Sequence, residues 1–461
     1  MKYFSTRNDS IQYTFQEVVM TGLARDGGLF LPATIPDVTD SLKDWAKLSY
    51  RELALNIFQL YTGLDTITLR TIIDKSYSTF RYEEITPVVE MGDLHIMELF
   101  HGPTLAFKDV ALQFLGNLFE HFLKQEKQIL NIVAATSGDT GSAAIYGVRG
   151  KQGIRIFVMF PEGRISPAQE RQMTSVLDDN VVNIALEGTF DDCQNLLKSL
   201  FNDLEFKDEY SLGSVNSINW ARILAQIVYY FYGAFRVMEK TGSDSVRFSV
   251  PTGNFGDIFA GFVAHQMGLP IQKLILAANE NDILSRFFKT GVYRTSPAMP
   301  TLSPSMDIQV ASNFERYLYY KLGKNSVPLK EAMEHFAKEG EIKVNPGAEG
   351  IVDSLFAAES ADTEETLSTI KHCYEKHNYL LDPHTAVGVN AAVKNPDPQC
   401  PTICLATAHP AKFDDAVKRA TGKDLAYHEI LERLKDLPVR KQVCANSAHA
   451  VRRIIEEKSN H

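Results

Sequence analysis

Lys108 stands at the end of "HGPTLAFKD" (101–109), where small, apolar and turn-forming residues lead into a helical pattern. That pattern starts near Phe107 and continues through Leu112 and Leu115. A lysine held among apolar groups loses the hydration that favours its charge, so its pKa falls and its neutral amine becomes a nucleophile. Such an amine forms Schiff bases with aldehydes. Most lysines are solvated surface charges, so Lys108 carries weight only in company.

Three other stretches supply that company. Each reads as the loop between a strand and a helix, where parallel α/β sheets collect ligands. In "ATSGDTGSAA" (135–144) the run Thr136, Ser137, Gly138, Asp139, Thr140, Gly141 holds more small and polar residues than one helix cap requires. Small residues let backbone N–H groups approach a ligand, and a helix N-terminus favours a carboxylate or phosphate. Asp139 or Ser137 reads as the N-cap. In "VPTGNFGDIFAG" (250–261), Gly253 and Gly256 flank Asn254 and Phe255. The two glycines offer the left-handed or extended angles that turn N–H groups into a phosphate cup, although a plain turn explains the spacing equally well. The loop carries neither GK[ST] nor GxGxxG. In "ATAHPAKF" (406–413), Thr407 at a strand end offers a hydroxyl to a heteroaromatic ring nitrogen, or is a satisfied buried threonine. An amine, an anion loop, a phosphate cup and a ring-nitrogen partner together match the attachment points of pyridoxal phosphate.

The elements that must position these groups are legible as alternating patterns. Near-continuous apolar runs at 130–136, 154–160, 181–186, 247–252, 273–279 and 402–408 suit strands buried on both faces. Helical segments lie between them, including "TGSAAIYGV", "ARILAQIVYYFYGAFRVMEK" and "GDIFAGFVAHQMG". This is an α/β chain of layered parallel sheets flanked by helices. Residues 1–92 mix helix and turn signals and form an N-terminal subdomain. Residues 93–245 carry Lys108 and the anion loop, and residues 246–461 carry the glycine loop and the C-terminal part. The Pro/Ser-rich stretch 291–311 crosses between substructures or covers a site, with Ser303, Ser305 and Asp307 as candidates by position.

Bulk properties bound the function. A formal net charge of −10 argues against nucleic-acid affinity. No apolar run is long enough to span a bilayer, and the start of the chain lacks the apolar core of a secretory signal. Five cysteines, with only Cys400 and Cys404 closely spaced, point to reduced buried thiols and to no metal site. The expectation is a cytoplasmic protein that acts on a small molecule, as a monomer or homodimer.

The stretches "GLARDGGLFLP", "HGPTLAFKD", "TSGDTGSAA", "NSINWARI", "PTGNFGD" and "ATAHPAKF" also follow the order and approximate spacing of one family. Over nearly its whole length the chain resembles the threonine synthases, pyridoxal-phosphate enzymes of the tryptophan-synthase-β fold group. The resemblance implies that Lys108 carries the cofactor, with Phe107 against the site. It assigns Gly253, Asn254, Phe255, Gly256 and Asp257 to the cofactor phosphate, Thr407 to the pyridine nitrogen, and Asp139 to the neighbourhood of the 3′-oxygen. Thr136, Ser137, Gly138 and Thr140 fall where the substrate carboxylate binds, and Asn216, Ser217 and Arg222 where the substrate phosphate binds. Alone, Arg222 reads as a surface helix charge. The implied reaction turns O-phospho-L-homoserine and water into L-threonine and phosphate, the last step of threonine biosynthesis. Lys108 would serve as the recurring acid and base while one domain closes over the site. The alternatives are a phospholyase or a threonine/serine dehydratase on the same scaffold, or a catalytically silent binding relative. A dehydratase has no substrate phosphate for Arg222 to hold, and a silent relative has no need of Lys108.

Overall fold

The apolar runs of the sequence form the strands of two central sheets. The computed structural model describes residues 1–347 and 350–459. In the larger sheet the order is Phe356–Ser360, Ile271–Ala278, Val246–Pro251, Thr402–Ala406, Leu94–Glu98, Val88–Met91. Its neighbours pair in parallel except for the hairpin Val88–Met91/Leu94–Glu98. The second sheet runs Gln442–Ala445, Val181–Glu187, Ile154–Pro161, Leu130–Ala135, Leu212–Gly213, all parallel. Val246–Pro251 and Thr402–Ala406 are buried at every residue, which is why they read as continuous apolar runs without alternation.

Two helices carry much of the core. Lys108–Glu126 and Trp220–Thr241 are buried on nearly all sides, and their residues join those of both sheets in one large apolar cluster. A helix that is apolar all round belongs inside a domain, and Trp220–Thr241 is interior for that reason. No helix of the described residues is long and apolar enough to cross a membrane.

Ahead of the sheets, Asn8–Tyr13, Tyr3–Ser5 and Phe30–Pro32 form a small antiparallel sheet, followed by helices Tyr50–Thr62 and Thr66–Tyr77. The expected boundary at residue 92 falls in the turn of the Val88–Glu98 hairpin. The segments 93–245 and 246–461 exchange strands: Leu94–Glu98 lies in the sheet built mainly from the later segment, and Gln442–Ala445 in the sheet built from the earlier one. All five cysteines are free and buried, Cys400 and Cys404 included.

Candidate active site

Lys108 opens its helix, and the loop before it is laced to the strand Thr402–Ala406 and the residues that follow. Phe107 N donates to Thr407 O at 2.8 Å, Leu99 N to Ala406 O at 3.0 Å, and His409 N to Leu105 O at 3.0 Å. Asp109 folds the loop back by accepting from Thr104 N at 2.8 Å and from Thr104 Oγ1 at 2.7 Å. A side chain at Gly102 would collide with that carboxylate, its Cβ falling 2.4 Å from Asp109 Cβ. The result is a buried amine: Lys108 Nζ donates to Ser305 Oγ at 3.1 Å and lies 3.9 Å from Asp139 Oδ2. Burial pulls its pKa down to about 8, Asp139 opposing the fall while Lys412 and Arg222 add to it. The Phe107 ring centroid is 5.8 Å from the same nitrogen.

The anion loop differs from expectation in its cap. Neither Ser137 nor Asp139 caps the helix Asp139–Val148; the N-cap is Gly138, at φ +135°. Thr136 Oγ1 does that work by accepting from Gly138 N and Gly141 N, both at 2.9 Å. Gly138 has no room for a side chain, since a Cβ would stand 2.4 Å from the Gln169 carboxamide. Asp139 is therefore released from capping. Its Oδ1 accepts from Lys412 Nζ at 2.7 Å and from Gln169 Nε2 at 2.9 Å. Burial pushes this carboxyl up, but Lys412, Lys108 and His384 outweigh it and hold it below the ordinary carboxylate range. Ser137 and Thr140 are half-buried, and their hydroxyls bond no other described residue.

In the glycine loop the left-handed residue is Phe255, at φ +62°, and neither Gly253 nor Gly256 adopts a positive φ. A non-glycine residue there costs on the order of 1 kcal/mol. The Phe255 ring offsets it by packing within 6.1 Å of the Phe288, Phe314, Tyr317 and Phe356 rings. Gly253 is required for close approach instead: a Cβ would lie 2.8 Å from Ser305 O and 3.2 Å from Met306 Cα. Phe255 offers no side-chain cap to the helix Gly256–Gln266, so its leading N–H groups are open to an anion. The Asp257 side chain is engaged elsewhere. Its Oδ1 accepts from Tyr229 OH at 2.6 Å and Tyr230 OH at 2.9 Å, which turns the carboxyl into the core. Burial raises it to about 6.

Arg222 is no surface charge. It is buried, its Nη1 donates to Val215 O at 3.1 Å, and its Nε has no partner among the described residues. Burial pulls its pKa down to about 10. Asn216 is exposed and Ser217 half-buried, with Ser217 Oγ donating to Asn216 Oδ1 at 3.2 Å. Thr407 is buried, and its hydroxyl bonds no other described residue.

Four residues of this neighbourhood carry no signal that spacing alone could rank. Lys412 sits inside "ATAHPAKF" and reads there as an ordinary lysine. Asn313 Nδ2 donates to Asn254 O at 3.2 Å and Ser217 O at 3.3 Å, tying the glycine loop to the Asn216–Ser217 turn. Arg316 supports that tie through Asn313 Oδ1, Ile218 O and Phe30 O. His384 Nε2 accepts from Ser305 N at 3.3 Å while Nδ1 meets Asp382 at 2.8 Å, which fixes the strap carrying Ser305. Of the three strap candidates only Ser305 reaches Lys108. Ser303 Oγ and Asp307 Oδ1 accept from Asn279 Nδ2 at 3.0 and 2.8 Å and fold the strap itself.

The arrangement thus joins a buried amine with a lowered pKa, an uncapped helix N-terminus, a buried guanidinium and a free buried hydroxyl. Comparison with known proteins agrees in kind. Residues 2–77 match the family described as threonine synthase N terminus, residues 80–352 pyridoxal-phosphate dependent enzyme, and residues 385–455 threonine synthase, C-terminal. The chain is 50% identical to the threonine synthase of Saccharomyces cerevisiae, over 91% of this chain and 88% of that one. It is 48% identical to that of Schizosaccharomyces pombe, over 93% and 91%. The PLP-bound threonine synthase of Brucella melitensis superposes with a TM-score of 0.95 at 43% identity, covering 100% of each chain.

Proposed function

The chain belongs to the threonine synthase family of pyridoxal-phosphate-dependent enzymes, and from that premise we propose that it converts O-phospho-L-homoserine and water into L-threonine and phosphate. The residues fit the cofactor. The open N-terminus of the helix Gly256–Gln266 suits its phosphate, the unpaired Thr407 hydroxyl its ring nitrogen, and the buried Lys108 amine its aldehyde. When bound there, the cofactor provides a sink for the electron pair left when a proton is taken from carbon beside the substrate amine.

In this reading the Ser137 and Thr140 hydroxyls, with the N–H groups at the start of the helix Asp139–Val148, hold the substrate carboxylate. Arg222 and Ser217 hold the substrate phosphate. That clamp fixes Cα within reach of Lys108 Nζ, whose pKa of about 8 lets it take the Cα proton and return one at the end. Ser305 Oγ, 3.1 Å away, steadies the amine between transfers. As phosphate leaves Cγ into the Arg222 guanidinium it carries off a Cβ proton, and Lys108 hands the proton it took from Cα to Cγ. The phosphate, still held by Arg222, takes the proton of the water that adds at Cβ and passes one back to Lys108 for the return to Cα. Seclusion of the site keeps bulk water from competing with that one molecule.

The observation that carries the proposal is Arg222. A buried cation with no carboxylate against it among the described residues is costly unless an anion arrives, and it lies close enough to Lys108 to depress the amine. The test is to mix the purified protein with O-phospho-L-homoserine and assay phosphate, threonine and 2-oxobutyrate. Equal phosphate and threonine are expected. Phosphate with 2-oxobutyrate and no threonine would make the protein a lyase with the same site, and no phosphate at all would refute the substrate.

A further inference from the structure

Lys412 is a cation sealed in the interior, 0% exposed, on the short turn Pro410–Lys412. Its Nζ donates to Asp139 Oδ1 at 2.7 Å and to Thr104 O at 2.9 Å. A buried ammonium is expensive unless paired, and this one is paired with the same carboxylate that Lys108 faces. The two lysines share it unequally. Lys412 takes Oδ1 at hydrogen-bond distance, whereas Lys108 stays 3.9 Å from Oδ2 and spends its hydrogen bond on Ser305. With Lys412 absent, Lys108 would be the one ammonium left facing Asp139, beside the neutral Gln169 and the His384 ring. A charge-assisted pair would then form and hold the amine in its protonated, unreactive form.

We propose that Lys412 is a positioning residue of the site: by engaging one oxygen of Asp139 it compensates that carboxylate and leaves Lys108 free to lose its proton and react. The inference rests on the reading of Lys108 as the cofactor-binding lysine. The charged groups facing Lys108 are Asp139, Lys412, Arg222 and, on its own helix, Asp109. Those facing Lys412 are Asp139, Lys108, Asp109 and His409. Asp139 is faced by His384 as well and bonded by the neutral Gln169, but among these charged groups only Lys412 hydrogen-bonds it, so its removal shifts the balance in one direction.

The experiment uses the full-length chain stripped of cofactor, its fold checked by melting. Trace labelling with an amine-reactive anhydride, read at the Lys108 peptide by mass spectrometry, gives the midpoint of Lys108 titration over a pH series. In K412M the midpoint should rise by about one pH unit, so labelling below it slows roughly tenfold. K412R should hold the wild-type midpoint, and adding D139N to K412M should bring the midpoint back down. A merely structural lysine would lower the melting temperature and leave the midpoint in place, and that result in folded K412M overturns the proposal. Should K412M not fold, D139N alone decides: two facing cations without their carboxylate must lower the midpoint, and a constant or higher one overturns the idea. Borohydride reduction of the cofactor-bound wild type separates the two levels. An adduct on Lys108 with an unmoved midpoint sinks only Lys412's role, whereas no adduct on Lys108 sinks the underlying reading as well.

Discussion

Replacing Arg222 by methionine should make the protein more stable by itself and nearly indifferent to phosphate. Arg222 is 4% exposed, and burial lowers its pKa to about 10. Against an ordinary value above about 12, at roughly 1.4 kcal/mol for each tenfold, the charged form is penalised by about 3 kcal/mol. The one hydrogen bond it makes among the described residues, to Val215 O, returns about 1.5–3 kcal/mol, as expected for a bond from a charged donor. Methionine fills similar space without charge, so the net gain in the absence of ligand is about 1 kcal/mol. Phosphate reverses the order. At a concentration near one hundred times its Kd it stabilises the wild type by about 2.7 kcal/mol, and a variant without the receptor gains little of this. The assay is urea unfolding of both cofactor-bound proteins with and without inorganic phosphate, with kcat/KM for O-phospho-L-homoserine measured alongside. Arg222→Met should unfold at the higher urea concentration without phosphate and at the lower one with it, and kcat/KM should fall at least about tenfold. A variant that is weaker without phosphate and keeps the full phosphate response would show that Arg222 is structural and that the anion binds elsewhere.

Two further outcomes follow from the same geometry. Gly253→Ala places a Cβ 2.8 Å from Ser305 O, a backbone atom that cannot swing aside, so the strap must shift. Overpacking of this kind costs about 1–3 kcal/mol, of which roughly 0.5 kcal/mol returns through the less flexible unfolded chain, so thermal melts should show a net loss. Capture of pyridoxal phosphate by the stripped chain should track the neutral fraction of Lys108. The rate should climb with pH and level off above about 8, where an unperturbed lysine would go on climbing to about 10.4, as growth of the visible band would record.

The sheets were readable because their signal is local. "RFSVPT" and "TICLATA" are buried on both faces, so a few consecutive residues already show a strand's hydrophobic environment. The loops around Lys108, Thr136–Gly141 and Gly253–Asp257 stood out for a related reason: close backbone approach demands small residues in a row, and composition records that demand directly. What happens inside those loops depends on residues remote in the chain. Phe255 takes the left-handed turn because four distant aromatic rings reward its placement, and nothing near it in sequence announces them. The Asp257 carboxyl gives no sign in its own loop of its partners Tyr229 and Tyr230, which the helix Trp220–Thr241 brings to it. Arg222 reads as a surface charge because one residue type says nothing about which helix face is covered. Asp139 shows the division most sharply. Its presence in the loop is a matter of sequence, but its charge, its partners Lys412 and Gln169, and its distance from Lys108 are settled only when three other segments close on it. Burial patterns are written within a window of a few residues, whereas the electrostatics of a site arise from pairs that the chain brings together over long separations, and local pattern does not rank those pairs.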